Sequence, residues 1–257
     1  MTNAEALAQV ARSLRDSAGG YLRNTVHIPG ETCSVCRGAQ LRDGYHSCYP
    51  CGRTYGGCAD LVGSMIYGVD GLQSGRLMFG YKSTAPGPSH VPTIRSLVAL
   101  GLRGHVSCAS ALTGVRATHW ATVPSLKNIG VAHPFREILL SILSTGQAIE
   151  VAASTTAARR TPSERRQLDP TLYELRTTVP AGAHVMVIDD TWTSGGHAQS
   201  VGRALKQASA GTVSILAIAR WLDMDDNRTK RVYREYIKDR PYNPFLCPWT
   251  AGACPPR

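Results

Sequence analysis

An α/β architecture, with a central parallel sheet flanked by helices, is what this sequence predicts, and three observations carry the prediction. Residues 185–188 (VMVI) form an unbroken apolar run of strand length, as expected of a strand buried on both faces. Runs of strand character at residues 119–123, 149–153 and 212–219 alternate with stretches of helical periodicity. At 257 residues and 43% hydrophobic content, the chain supports one such domain with a small appendage.

Taken from the start, residues 4–14 place Ala, Leu, Ala, Val and Leu at helical spacing, and Gly19-Gly20 ends the pattern. Residues 1–30 are therefore expected to be a helical segment with no chemistry of its own. Cys33-Ser-Val-Cys36 follows, then residues 37–47, then Cys48-Tyr-Pro-Cys51. Two C-x2-C pairs at this separation bring four thiolates around one tetrahedral Zn²⁺, so residues 31–60 read as a structural zinc ribbon. Gly38 and Gly52 suit the turns of its two knuckles. Two disulfides or unpaired thiols are the alternatives. No basic-then-apolar leader opens the chain, which favours a reducing compartment and zinc. Cys58 has poorer spacing for a ligand, and His46, between the knuckles, is expected to be exposed.

Residues 61–92 carry little pattern beyond Gly80-Tyr-Lys-Ser83 and the Pro-rich turn Ala85-Pro-Gly-Pro88. Thr93 suits the cap of a helix over 94–102. Residues 119–123 (HWATV) read as the first buried strand, with a loop at 124–128. Ligands in open α/β sheets collect at the carboxyl ends of strands, so Ser125, Lys127 and the loop's N–H groups form a candidate anion site. His133-Pro134 starts a helix to about residue 143. After the short strand at 149–153 comes a polar segment, 154–166, rich in arginine and containing Arg159 and Arg160. It reads either as a loop that closes over a ligand or as a surface connection.

The richest stretch is 185–200 (VMVIDDTWTSGGHAQS). The strand runs into Asp189 and Asp190. Thr191, Thr193 and Ser194 then offer hydroxyls, and Gly195 and Gly196 allow close backbone approach. A helix from about 197 to 210, stopped by Gly211, directs its positive end at this turn, which makes a phosphate site. The two carboxylates suit sugar hydroxyls or a metal bound beside the phosphate. Residues 212–219 are the last clear strand, and Trp221 lies just beyond it. The tail, 223–257, is basic and then Pro-rich, and its Cys247 and Cys254 lack C-x2-C spacing.

The stretch around Asp189 and Asp190 resembles the phosphoribosyl-pyrophosphate signature of the type I phosphoribosyltransferases. Zinc ribbon, Tyr-Lys segment, helix and first sheet strand follow one another as in the ComF-like branch of that family. The resemblance implies a phosphoribosyltransferase domain over residues 61–222 and a Mg²⁺-dependent displacement at C1 of phosphoribosyl pyrophosphate. A nitrogen nucleophile, nucleobase-like, would take the sugar and pyrophosphate would leave. It further implies that Asp189 and Asp190 hold the ribose 2′ and 3′ hydroxyls, with either one available as a general base. Thr191, Trp192, Thr193, Ser194, Gly195 and Gly196 would surround the 5′-phosphate. Ser125 and Lys127 would meet the pyrophosphate, Lys127 standing where an Arg is common, and Arg159 and Arg160 would sit on the closing loop. Trp221 is a candidate to stack on the base. Trp192 departs from the family's smaller residue and is expected to crowd or cap the pocket.

Charge adds a second line. The chain carries 28 Lys and Arg against 18 Asp and Glu, a net charge of +10. From residue 71 to 136 there are basic residues (Arg76, Lys82, Arg95, Arg103, Arg116, Lys127, Arg136) and no acidic ones, and residues 228–240 form another basic cluster. This asymmetry suits a polyanionic partner, either a small phosphorylated substrate or nucleic acid, as well as a plain solvated basic surface. A ComF-like DNA-associated protein, or a sugar-phosphate sensor without catalysis, therefore stand beside the enzyme reading. No apolar run approaches a membrane span. A cytoplasmic protein is expected, and the resembled family implies a homodimer.

Overall fold

The computed structural model describes residues 2–53, 58–131 and 133–256. Residues 54–57, inside the expected ribbon span, lie outside the described residues. Thr2 opens α1 (Asn3–Ala18) with a capping box: its hydroxyl accepts the Glu5 N–H while the Glu5 carboxylate accepts the Thr2 N–H. Ala11, Leu14 and Ala18 bury the inner stripe of this helix. The cysteine segment ends in a short helix, α2 (Tyr49–Gly52). The chain then enters β1 (Leu61–Val69) and α3 (Gln73–Gly80).

The helix expected at 94–102 starts earlier, as α4 (His90–Ala99), with Thr93 buried inside it and Ser89 at its head. It continues through a π-helical turn, Leu100–Gly104, into α5 (His105–Thr113), where Gly114 closes it at φ 70°. Beyond lie β2 (Ala117–Thr122), α6 (Pro134–Leu140), β3 (Val151–Ala153), α7 (Thr155–Arg159) and β4 (Tyr173–Leu175). The signature strand is β5 (His184–Trp192), followed by α8 (Gly196–Gln207), β6 (Thr212–Leu222) and α9 (Asn227–Val232). α8 stops short of Gly211, because Ser209 takes the left-handed turn at φ 76°. Gly211 serves close approach instead: a Cβ there would lie 2.7 Å from the Gly182 carbonyl oxygen.

Four strands make one parallel sheet in the order β1-β6-β5-β2. Met186, Ile188, Leu216 and Ile218 face one layer, shared with α1, α4 and α5. Val185, Val187, Val213 and Ile215 face the other, shared with α8 and the four cysteines near the N-terminus. This is the side-chain alternation of strands buried on both faces. β1 is a strand the sequence pattern hides, because Gly63, Ser64 and Gly68 interrupt its apolar run. The glycines are there for space: a Cβ on Gly63 would come 2.7 Å from the Trp249 ring. The strand expected at 149–153 leaves the main sheet. The Ile149 N–H bonds the Trp120 carbonyl at 2.7 Å, and β3 then pairs antiparallel with β4. Among the described residues, no helix is long and apolar enough to cross a membrane.

Candidate functional site

The carboxyl ends of β2 and β5 are neighbours, and a cavity of about 490 Å³ opens above them. Asp189, Asp190, Thr191 and Thr193 line it from the end of β5, and Ser125 and Lys127 from the loop after β2. The expected sugar and pyrophosphate groups are thus gathered around one space. Lys82, His133, Arg165, Arg166 and His197 also line it. Four cations around two carboxylates suit a ligand that is polyanionic at its ends and carries hydroxyls between.

The two carboxylates have different surroundings. Asp190 is buried; the Tyr81 hydroxyl donates to its Oδ2, Lys82 pairs with the same oxygen, and His133 Nε2 lies 3.9 Å away. Tyr81 is itself buried, and burial together with the Asp190 charge pushes its phenol up. His133 is shifted down, mainly by burial. Asp189 has no ion pair among the described residues. Burial, and then the Asp190 charge, push its carboxyl up to about 8, against the pull of Lys82 and of the Asp190 and Thr191 N–H groups.

Above β5 the chain turns through Thr193 and Ser194 to Gly195, at φ 83°, the cap of α8. Ser194 Oγ accepts the Gly196 N–H at 3.4 Å. Trp192 does not cap the cavity. It is 1% exposed and packs beneath the turn, where a Cβ on Gly195 would lie 2.2 Å from its ring. Gly195 is thus needed twice, for its positive φ and for its contact with this indole. Gly196 is needed because the Arg166 carbonyl oxygen lies 2.1 Å from where its Cβ would be. The arginine-rich segment therefore sits directly on the N-terminus of α8.

That segment presents different arginines from those expected. Arg159 ends α7, and Arg160 pairs with Glu164 and Asp169, each at 3.5 Å; neither lines the cavity. Arg165 and Arg166 do, and Arg165 donates to the Leu126 carbonyl at 2.6 Å, tying the segment to the loop after β2. In that loop Ser125 Oγ accepts the N–H groups of Lys127 and Asn128, a turn that holds the Lys127 backbone in place. His197 meets the Tyr173 hydroxyl at 2.9 Å and is shifted down by burial and by Arg166. Trp221 packs its ring edge against Phe79, with centroids 5.3 Å apart, away from the cavity.

Cys33, Cys36, Cys48 and Cys51 are all buried, with their sulfurs within 4.8 Å of one another. Cys36 Sγ and Cys48 Sγ are 3.7 Å apart. Zn–S bonds of about 2.3 Å set a tetrahedral edge of roughly 3.8 Å, so this group fits Zn²⁺. Val35 and Cys48 N–H groups donate to Cys33 Sγ. The left-handed turn of the first knuckle falls on Arg37, at φ 60°, and Gly38 has another use: a Cβ there would strike the Arg220 guanidinium. Arg220, 4% exposed, hydrogen-bonds Cys36 and donates to the Trp192 carbonyl at 3.2 Å. One buried cation thus joins the cysteine group to the end of β5. Cys58 stays outside this group, and His46 is exposed.

Sequence reading missed Lys82, His133, Arg165, Arg166 and His197. Lys82 had a signal, the Tyr-Lys segment, and the loop arginines had their composition; the histidines had none. No family model matches the chain, and no curated protein matches it. Among solved structures, the chain is similar to adenine phosphoribosyltransferase from Saccharomyces cerevisiae, solved with D-2,5-dideoxy-2,5-imino-altritol 1,6-bisphosphate and adenine. The identity is 20% over 56% of this chain and 75% of that one, with a TM-score of 0.35. A further adenine phosphoribosyltransferase structure is similar at 19% identity over 56% of this chain and 76% of that one, with a TM-score of 0.34.

Proposed function

We propose that the chain is a Mg²⁺-dependent phosphoribosyltransferase that binds phosphoribosyl pyrophosphate and passes the phosphoribosyl group to a nucleobase-like nitrogen. The observation that carries this reading is the meeting of Asp189, Thr191, Thr193, Ser125 and Lys127 around one cavity at the carboxyl ends of β2 and β5. Asp189 and Asp190 hold the ribose hydroxyls. Thr191 and the 193–196 turn hold the 5′-phosphate at the head of α8. Ser125 and Lys127 meet the pyrophosphate, with Arg165 and Arg166 taking the part expected of Arg159 and Arg160. The residues then work electrostatically: they fix the donor, neutralise the departing pyrophosphate and exclude water. Asp189, a carboxylate lacking an ion pair beside hydroxyl groups, belongs to an oxygen donor set that fits Mg²⁺. When bound with the donor, Mg²⁺ supplies charge neutralisation at the pyrophosphate and ribose oxygens.

In the same reading Cys33, Cys36, Cys48 and Cys51 hold a structural Zn²⁺, closed to other ligands. Four thiolates around Zn²⁺ make a formally dianionic centre, and the buried Arg220 beside Cys36 is the counterion such a centre requires. The ComF-like DNA reading draws on the zinc ribbon and the basic surface, which includes the cluster at 228–240. There, however, Arg228 pairs with Asp43, and Arg231 with Glu31 and Glu235, so these two arginines are already partnered within the chain. The test is pyrophosphate release from phosphoribosyl pyrophosphate and Mg²⁺ across a panel of purine and pyrimidine bases. Base-dependent release supports the reading. Absence of release with every base, in protein that binds the donor, replaces the enzyme with a binding protein.

A further inference from the structure

The tail cysteines acquire a purpose once the chain is folded. His105 and Cys108 stand three residues apart on α5, on one face of that helix. Cys247 and Cys254 come from the turn near the end of the chain, 139 residues beyond Cys108 by number and adjacent to it in space. The ligand atoms of all four lie within 4.8 Å of one another. His105 Nδ1 is 3.5 Å from Cys254 Sγ and 3.8 Å from Cys108 Sγ. A tetrahedral Zn²⁺ with one nitrogen and three sulfurs, at about 2.1 and 2.3 Å, sets N···S edges of roughly 3.6 Å.

The surroundings are those of a built site. His105, Cys108 and Cys247 are buried, and Cys254 closes the outer side. The Cys247 N–H donates to the Gly252 carbonyl at 3.0 Å, and the Ala251 N–H to the Cys247 carbonyl at 2.9 Å, winding the turn back on itself. Ala251 sits at φ 56°, a left-handed conformation that an alanine adopts only when its surroundings impose it. The backbone N–H groups of Trp249 and Thr250 bond Cys247 Sγ, as Val35 and Cys48 bond Cys33 Sγ in the first group. Trp249, 2% exposed, donates its indole N–H to the His105 carbonyl at 2.9 Å. Three cysteines also exclude full pairing by disulfides within the group.

We propose that His105, Cys108, Cys247 and Cys254 form a second, structural zinc site that fastens the C-terminal segment to α5. All four positions are filled by side chains, so the ion is closed to substrate and acts on folding. Its place in the fold shows what it secures. The same turn lays Trp249 against Gly63 and the Pro248 carbonyl against the Ser64 N–H, covering the outer edge of β1.

Metal analysis of the full-length protein, purified without chelators, tests this. Two zinc ions per chain are expected, one for each group. Cys254→Ser, at the exposed corner, lowers the content to one, and so does Cys36→Ser in the other group. His105→Cys exchanges one ligand for another and keeps both ions. Cobalt loading of the Cys36→Ser protein isolates the second site, which gives thiolate charge-transfer bands and tetrahedral d–d bands. The proposal is overturned if zinc content is unaltered by Cys254→Ser, or if peptide mapping of freshly purified protein finds Cys254 in a disulfide with Cys108 or Cys247.

Discussion

Asp189 and Asp190 are consecutive residues of one strand, yet the fold treats them oppositely. Asp190 is committed to the protein: Tyr81 donates to it and Lys82 neutralises it. Asp189 opens on the cavity with no ion pair among the described residues, and burial and the Asp190 charge raise its proton affinity. Both line the cavity, but successive side chains on a strand diverge, and only Asp190 reaches Tyr81 and Lys82. One carboxylate is satisfied within the protein, and the other is left needing a cation or a hydroxyl donor. The difference separates a residue that only meets the ligand from one that also holds the site together.

The largest expected effect comes from removing the ligand-facing charge. Asp189→Asn should weaken binding of phosphoribosyl pyrophosphate with Mg²⁺ by about 100-fold, the loss of one or two charge-assisted hydrogen bonds. It should not lower thermal stability, and near pH 7 it should raise it, because the buried ionisation is removed. Asp190→Asn should instead lower stability, by about 2 kcal/mol, because Lys82 is left unpaired beside a buried wall. Thermal melts of the two variants side by side read this difference. If both lose binding and neither loses stability, the two carboxylates share one role.

A pH series sharpens the same contrast. The Asp189 carboxyl, near about 3.9 when unfolded, is pushed up to about 8 when folded, by burial and Asp190 against Lys82. Between these values the folded state holds a proton that the unfolded state has released. Stability of the ligand-free protein therefore falls as pH rises from about 4 to about 8. Asp189→Asn should remove that slope, which denaturant titrations at several pH values would detect. At pH 7, ligand binding that needs the ionised form should release a proton, visible as a buffer-dependent binding enthalpy. The smallest effects belong to the arginine-rich segment. Arg165→Ala should weaken donor binding about tenfold. Arg160→Ala, whose side chain is turned to Glu164 and Asp169, should change it less than about threefold.

What was legible in the sequence follows from how far apart the parts of each feature lie. The four cysteines from Cys33 to Cys51 announce themselves because the knuckle needs a fixed local spacing. The second group stayed unread because its halves meet only when the tail turn reaches α5. Asp189, Asp190 and the turn after them were readable as a contiguous strand-loop-helix pattern. Their unequal roles were not, because Tyr81 and Lys82 arrive from a segment without strong periodicity. Trp192, expected to crowd or cap the pocket, is a buried support, because the Gly195 turn leaves room for the indole underneath. β1 is hidden for a related reason: Gly63 makes space for Trp249 and Gly68 packs against Trp221, and both break the apolar run that marks a buried strand.

The most direct test of the central reading is calorimetric titration of phosphoribosyl pyrophosphate with Mg²⁺ into the wild type and Asp189→Asn at pH 7. The account predicts saturable binding to the wild type and about 100-fold weaker binding to a variant that melts no lower than the wild type. Equal binding by both proteins would contradict it, as would no binding by folded, zinc-loaded wild type.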